Sequence, residues 1–481
     1  MIRCILILSI AVCGIVQSFA SPSNVKVVVD ERFELNSIVW RLAGAKEYSQ
    51  CDVAVYAAEV DSFFAPYASH PILDYCKTIR DSTGIGYDAI STASSFMRIS
   101  DGAIVLTSDT MPQYLAVKDK RWTAAMYEEY VRLLDDFYRS SHFNKFFTEH
   151  QWLYQLAESE FKKNVMQAGT KWFDDFWGIP IDSYVIFLSI TNGPSNYGNI
   201  SVPGYDNGIL MGCCYSTDSV AATYNSSAFN VMLHELMHKV ANPIASQYRQ
   251  LFDAQIDTIF PVIKDALMMG AYGRESVIPE WFTRMGTLCY LWHNNRDSLT
   301  ISNMLTNDMA VGFRWQRDAF RLMRDSFDTA RDRYPHFEDF IPRLASFLTD
   351  YVADTAHLQP APSVVNVWYN VDDTIVLSQT DTLKVYFQFS CDMNPTGGVQ
   401  SGPEDENIDN ATLDKFFRIN KEMTYAQRFQ WIDKRTFTAL VPSEYLHGLP
   451  SFTIRLFLHT FESTERIPGV GYPTVKLPIR E

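Results

Sequence analysis

The string His234-Glu235-Leu236-Met237-His238 constrains the fold of this chain more than any other segment. Histidines four residues apart lie on one face of an α-helix, so both imidazoles can bind one cation with Glu235 beside them. The arrangement is typical of a zinc site in which a metal-activated water attacks a carbonyl group. The string therefore predicts a helix with a metal-binding face.

The residues around this string also favour a helix. Ser226 or Ser227 is a suitable N-cap, and Asn242-Pro243 is expected to end the helix. Apolar residues flank the motif on both sides, so the histidines are expected to be substantially buried. Buried imidazoles without a metal would need other partners for their ring nitrogens. The plainer alternative is an amphipathic helix with two histidines on its polar face.

A zinc site of this kind needs a third protein ligand from elsewhere in the chain. The HExxHxxGxxH form is excluded, because Ala241 and Ile244 stand where it requires glycine and histidine. A glutamate on a later helix is the other common solution, and Glu280 follows Pro279 at a predicted helix start. The alternatives are Glu275 in the preceding loop, or a solvated capping carboxylate. We expect Glu280 to face the histidines and Glu275 to face solvent.

Three further residues have predicted roles around this site. Glu235 is expected to take the proton from the attacking water and to deliver it to the leaving amine. Tyr272, in a glycine-flanked loop, is either a donor to the oxyanion of a tetrahedral intermediate or a loop tyrosine packed on the protein. Arg284, one turn after Glu280, either holds that carboxylate in place or forms an ordinary surface ion pair.

The first twenty residues have the pattern of a secretory signal peptide. Arg3 gives a short positive start, Ile5–Val16 is an apolar run, and Ser18-Phe19-Ala20 is a small-x-small cleavage site. We therefore expect residues 1–20 to be removed and the protein to be exported, to the periplasm, the cell surface or the medium. No later segment reaches the roughly 18 uninterrupted apolar residues of a transmembrane helix.

Composition excludes several classes of partner. The net charge is −15 and no basic block is present, so neither nucleic acid nor an anionic membrane is an expected partner. Hydrophobic residues make up 47% of the chain and charged residues 20%, which excludes disorder for most of it. No CxxC pair is present, so a sulfur-ligated zinc is not expected.

The hydrophobic patterning predicts an α+β fold in two domains. Residues 21–357 are mostly amphipathic helices with a small sheet. The hydrophobic pattern changes at Gln359-Pro360-Ala361-Pro362. In residues 358–481, short segments of alternating apolar and polar residues are separated by turn residues, as in a β-sandwich. The strand at 183–190 and the loop at 192–197 are candidates for an edge strand that binds an extended peptide, or are an ordinary strand and loop.

Residues 25–355 resemble an uncharacterised bacterial domain-of-unknown-function family of secreted zinc peptidases of the glutamate-zincin type. The resemblance implies a zincin-like peptidase fold, a Zn²⁺ cofactor, and His234, His238 and Glu280 as its ligands. Relatives commonly have His after the glutamate, followed by Val-Arg-Ala, where this chain has Trp281 and Thr283-Arg284-Met285. The other segments that carry the resemblance are Val28-Val29-Asp30-Glu31-Arg32, Ser37-Ile38-Val39-Trp40-Arg41-Leu42-Ala43-Gly44, Phe64-Ala65-Pro66-Tyr67, His70-Pro71, Gly84-Ile85-Gly86-Tyr87-Asp88-Ala89, Asn242-Pro243 and Ala271-Tyr272-Gly273.

Residues 358–481 resemble a bacterial immunoglobulin-like module and carry no catalytic constellation, so a spacer or adhesion role is expected there.

Together these patterns predict a secreted zinc metallopeptidase that acts on a peptide or protein substrate. The alternative is an exported, non-catalytic binding or adhesion protein built on a zinc-peptidase scaffold. Hydrolysis of another amide, such as a cell-wall crosslink, is also open.

Overall fold

The computed structural model describes residues 25–480, except 166–167, 213, 271, 297, 396–398 and 401–424. The predicted signal peptide lies outside the described residues. The chain divides into two compact units, and the division falls between Leu236 and Met237, within the helix that carries the histidines. The domain boundary near residue 358 stays a prediction.

Helices make up most of the first unit. Asp30 caps the first helix, because its side chain accepts a hydrogen bond from the backbone N–H of Arg32. Glu31 and Glu34 add carboxylates to the first turn, where the helix dipole favours them. The elements of this unit are β1 (Val25–Val29), α1 (Glu31–Leu42), α2 (Ala54–Phe64), α3 (Pro71–Thr83), α4 (Asp88–Ser95), β2 (Met97–Ser100), β3 (Ala103–Leu106), α5 (Met111–Lys118), α6 (Ala124–Ser140), α7 (Phe143–Glu149), α8 (Gln151–Asn164), α9 (Lys171–Trp177), β4 (Tyr184–Leu188), β5 (Asn196–Ile200) and β6 (Asn207–Met211).

The main sheet of the first unit has the strand order β1-β4-β6-β5. β1, β4 and β6 run parallel, and β5 pairs antiparallel with β6. β4 is buried along its whole length, as its continuous apolar sequence explains. The alternative that residues 183–190 form an edge strand is therefore wrong, because β4 pairs with β1 on one side and with β6 on the other. The strand at the edge beyond β6 is β5. A β-bulge between Tyr197 and Ile200 shifts the register of β5.

The helix that carries the histidines is α10 (Ala228–Tyr248), and it is longer than the sequence predicted. Asn242-Pro243 does not end it, because Pro243 lies inside the helix. A proline removes one backbone donor, and the buried side chains of Ile244 and Ala245 hold the following turn against the core. The next helices are α11 (Asp253–Met269), α12 (Val277–His293), α13 (Ser298–Ala310), α14 (Gln316–Leu322) and α15 (Phe337–Ala353).

Two other helix limits differ from the predicted pattern. The hydrophobic pattern over residues 151–176 predicts one long helix, but the structure has two, α8 and α9, because the backbone of Val165 is extended. α12 begins at Val277 and not at Pro279, which places the proline in its first turn. A proline costs little there, since the first backbone N–H groups of a helix have no partner within it.

Residues 364–480 carry two four-stranded sheets. The first has the strand order β10 (Val399–Gln400), β13 (Ser451–Leu456), β14 (Thr474–Arg480) and β8 (Ile375–Val376), and the second has the order β11 (Phe429–Trp431), β12 (Thr436–Pro442), β9 (Thr382–Phe389) and β7 (Val364–Tyr369). Phe387 and Phe437 from one sheet share a hydrophobic cluster with Phe452 and Leu477 from the other. The immunoglobulin-like sandwich stays a prediction. Among the described residues, no helix has the length and apolarity needed to cross a bilayer. A short helix, α16 (Tyr425–Arg428), directly precedes β11.

Candidate metal centre

α10 presents the predicted ligands on its less buried side. His234, Glu235 and His238 are each partly exposed. Their apolar neighbours Leu233, Leu236 and Met237 are fully buried. The histidines are thus largely buried, as their apolar surroundings predicted, and the side chain of His238 is 15% exposed. An imidazole that keeps some exposure is accessible to both a metal ion and a substrate.

The structure brings together the three predicted ligands. One ligand atom from each of His234, His238 and Glu280 lies within 4.8 Å of the others. Two imidazoles and a carboxylate are the donor set of a catalytic zinc site that keeps a fourth position for water. The residues therefore fit a metal ion of this type. Glu280 thus lies with the two histidines, as the sequence predicted, and its role as a metal ligand stays a prediction.

The ring of His238 is oriented by two neighbours. Its Nδ1 atom lies 3.2 Å from Asn242 Oδ1 and 3.2 Å from Thr283 Oγ1. An Nδ1–H group that donates to one of these oxygens leaves the lone pair on Nε2, which is the tautomer a metal ligand needs. Nε2 lies 3.5 Å from Glu280 Oε1. The nitrogen of His238 that could bind a metal ion therefore faces the candidate third ligand, Glu280.

Glu280 lies in the first turn of α12 and is only 8% exposed. Its second carboxylate oxygen, Oε2, lies 3.6 Å from Nη2 of Arg284, one turn further along the helix. The prediction that Arg284 holds this carboxylate is supported over the surface ion pair, because the guanidinium side chain is 15% exposed. The Glu280 carboxylate therefore lies between an imidazole and a guanidinium.

Arg284 is in turn held by a buried aspartate. Its Nη1 atom donates to Asp308 Oδ1 at 2.6 Å, and Gln316 Nε2 donates to Asp308 Oδ2 at 3.2 Å. Burial alone lowers the pKa of Arg284, but the charge of Asp308 and its other neighbours outweighs burial and raises the pKa above its ordinary value. The guanidinium therefore stays charged throughout the accessible pH range.

Tyr272 belongs to the same network. Arg284 Nη2 donates to its phenol oxygen at 2.9 Å, and this nitrogen is also the one that approaches Glu280. The phenol therefore lies one guanidinium nitrogen away from the third ligand. The ring position depends on Gly270, because a Cβ there would lie 2.6 Å from Tyr272 Cε2. Its role as an oxyanion donor stays a prediction.

Glu275 lies outside the metal-ligand group, as the sequence predicted. It is in a short 3₁₀ turn, and its side chain is 67% exposed. Its carboxylate forms ion pairs with Arg249 and with Arg274, at 3.8 Å in the second case. These ion pairs hold Glu275 at the protein surface, outside the group formed by His234, His238 and Glu280.

The edge strand β5 passes directly beside Glu235. A Cβ on Gly198 would lie only 2.1 Å from the Glu235 carbonyl oxygen. Glycine alone permits this approach, since any side chain would displace one of the two backbones. Within the described part of the chain, β5 pairs only with β6 in its sheet. An unpaired strand edge therefore runs past the candidate general base.

Sequence reasoning missed three residues of this site. Asn242 carried a usable signal, because a polar residue four positions after His238 lies on the same helical face. Thr283 lies three residues after Glu280, on the face of α12 that carries the ligand. Asp308 comes from α13, and no spacing rule connects α13 with Arg284. Its role is visible only in three dimensions.

The fold and the site together define the class of this protein. It is an α+β protein with an HExxH helix and a His-His-Glu group that could hold a metal ion. The chain belongs to the DUF4932 family, described as a domain of unknown function, whose family model matches residues 25–347. No curated protein and no solved structure matches the chain.

Proposed function

We propose that this protein is an exported zinc metallopeptidase. The observation that carries the proposal is the approach of Glu280 to His234 and His238, with Glu235 adjacent to the first histidine on α10. A zinc ion held by three protein ligands supplies a Lewis acid and an activated water. Export rests on the sequence of residues 1–20.

Glu235 is the proposed general base. It takes the proton from the attacking water and delivers it to the leaving amine, so its carboxylate changes protonation state twice in each cycle. Its partial exposure supports this role, because a fully buried carboxylate would exchange protons with a substrate less easily. Replacing it by glutamine removes the relay and leaves the three ligands intact.

Tyr272 and Arg284 are the proposed electrostatic partners of the reaction. The phenol of Tyr272 donates a hydrogen bond to the oxyanion that forms when water adds to the scissile carbonyl. Arg284 donates to the phenol oxygen at 2.9 Å and lies 3.6 Å from the Glu280 carboxylate. The Asp308 carboxylate, at 2.6 Å, fixes the guanidinium in this position.

An extended peptide is the proposed substrate because of the position of β5. Its unpaired edge offers backbone N–H and C=O groups, and an extended peptide can add to such an edge as a further strand. Gly198 brings this edge against the Glu235 carbonyl. A peptide bound along β5 would therefore run past the general base. This supports peptide bonds over the isolated amide of a cell-wall crosslink.

A peptide-library digestion compared between the wild-type protein and Glu235→Gln tests the proposal. We expect chelator-sensitive cleavage by the wild type, and no cleavage by Glu235→Gln at an unchanged zinc content. Cleavage by Glu235→Gln at the wild-type rate would refute the proton relay. A zinc-loaded wild-type protein that cleaves no peptide would favour the non-catalytic binding protein.

A further inference from the structure

The turn before α4 has a backbone conformation that its central residue disfavours. Tyr87 has φ 48° and ψ −125°. Ala89 N donates to Gly86 O at 3.1 Å, so these residues form a β-turn of type II′ with Tyr87 at its first central position. Glycine is the residue that fits this position, and a bulky aromatic residue there is strained.

The surrounding structure fixes this turn on its N-terminal side. Arg80 and Glu47 form a bidentate ion pair at 2.7 and 2.8 Å. A Cβ on Gly86 would lie 3.0 Å from Glu47 Oε1, so the chain passes directly over this pair. Tyr48 donates its hydroxyl to the carbonyl oxygen of Tyr87 at 3.4 Å.

The C-terminal side of the turn is fixed by a second bidentate pair. Arg121 donates to both carboxylate oxygens of Asp88, at 2.9 and 2.7 Å. The backbone of Tyr87 is therefore constrained on both sides. A strained residue persists only when its surroundings over-determine it, and such residues cluster at binding and catalytic sites.

Packing of the Tyr87 side chain does not offset this backbone strain. It is 50% exposed. Among the described residues, it makes no hydrogen bond through its hydroxyl and no ring contact with another aromatic side chain. The fold thus presents an aromatic ring to solvent at a cost in stability. Contacts within the chain do not explain this cost, so a contact with a bound molecule is the remaining explanation.

The turn lies close to the edge strand that passes Glu235. Glu47 contacts the turn through its side chain, and its carbonyl oxygen would lie 2.1 Å from a Cβ on Gly193, in the loop that leads into β5. α4, which begins at the residue after Tyr87, packs against β5. Gly198 of β5 then abuts the carbonyl of Glu235. Tyr87 is therefore beside the strand along which a peptide is proposed to bind.

We propose that Tyr87 determines substrate specificity by contacting a large apolar side chain of a peptide bound along β5. This inference rests on the peptidase function proposed above. An apolar partner is favoured because the nearby carboxylates already have guanidinium partners, Glu47 in Arg80 and Asp88 in Arg121, which it shares with Asp119. An aromatic ring beside charges that are already paired attracts an apolar or aromatic side chain more than a charged one.

The test uses the zinc-loaded full chain and pairs of peptides that differ in one residue, phenylalanine or alanine, at each position around the scissile bond. At one position, Tyr87→Gly is expected to lower kcat/KM for the phenylalanine peptide about tenfold, the size of one lost aromatic contact. The loss should fall on KM, since the ring binds substrate and transition state alike. The alanine peptide should be cleaved as by the wild type, and Tyr87→Phe should keep the preference.

Tyr114→Ala is the matched control, because Tyr114 is another exposed tyrosine of the first unit, at 53%. It is expected to behave as the wild type with every peptide. If Tyr87→Gly retains the wild-type preference while zinc-dependent cleavage persists, the role of Tyr87 is refuted and the peptidase proposal stands. If the zinc-loaded wild type cleaves no peptide, both proposals fail together.

Discussion

Replacing Asp308 by asparagine tests whether a buried ion pair supports the third ligand. Asp308 is 3% exposed and accepts from Arg284 at 2.6 Å, so the substitution leaves a largely buried guanidinium without its main counter-charge. Removing one partner of a buried pair costs about 3–5 kcal/mol. Arg284 keeps Glu280 at 3.6 Å, which places the expected loss at the lower end, about 3 kcal/mol.

Urea unfolding of the metal-free protein, followed by tryptophan fluorescence, measures this loss without a contribution from metal binding. The matched control is Asp318→Asn, because Asp318 pairs with Arg321 at 3.2 Å but is 45% exposed. That variant should lie within about 0.5 kcal/mol of the wild type. If Asp308→Asn is as stable as Asp318→Asn, the buried network does not support the site as argued.

Three further changes have expected outcomes. Gly198→Ala should cut peptidase activity and lower the unfolding free energy by about 1–3 kcal/mol, because the new Cβ overlaps the Glu235 carbonyl; unchanged activity would contradict that contact. Tyr87→Gly should raise the unfolding free energy by about 1 kcal/mol in urea unfolding, since glycine relieves the positive φ. Burial raises the pKa of Glu34, despite four hydrogen bonds to its carboxylate. As the pH rises from the ordinary glutamate pKa through the raised one, the wild type should therefore lose stability relative to Glu34→Gln, and parallel pH curves would refute this.

Local pattern was enough to predict many elements of the fold. The hydrophobic pattern predicts strands over residues 25–29 and 364–369 and helices over residues 31–42 and 337–353. β1, β7, α1 and α15 have these limits, because in each segment the hydrophobic pattern runs without interruption between polar or turn residues. Pro243 misled the prediction of α10, since a proline disfavours a helix locally while core packing of the next turn retains it. Local rules describe the isolated segment, and packing decides between near-equal alternatives.

The candidate site likewise has a part that local sequence pattern predicts and a part that depends on how the elements pack. The spacing of His234 and His238 places both on one helical face. The choice of Glu280 over Glu275 followed from the predicted helix start at Pro279, which leaves Glu275 in the preceding loop. The Asp308 contact depends on how α13 packs beside α12, which no sequence spacing encodes. The placement of β5 against Glu235 likewise depends on the strand order of the sheet.

The most direct test of the central claim is a zinc titration of the metal-free protein, its Glu280→Gln variant and its Glu275→Gln variant. We expect the wild type and Glu275→Gln to bind about one zinc per chain with equal affinity, and Glu280→Gln to bind it far more weakly, because it lacks the charged third ligand. Wild-type affinity in Glu280→Gln, or a loss confined to Glu275→Gln, would contradict the assignment of this site.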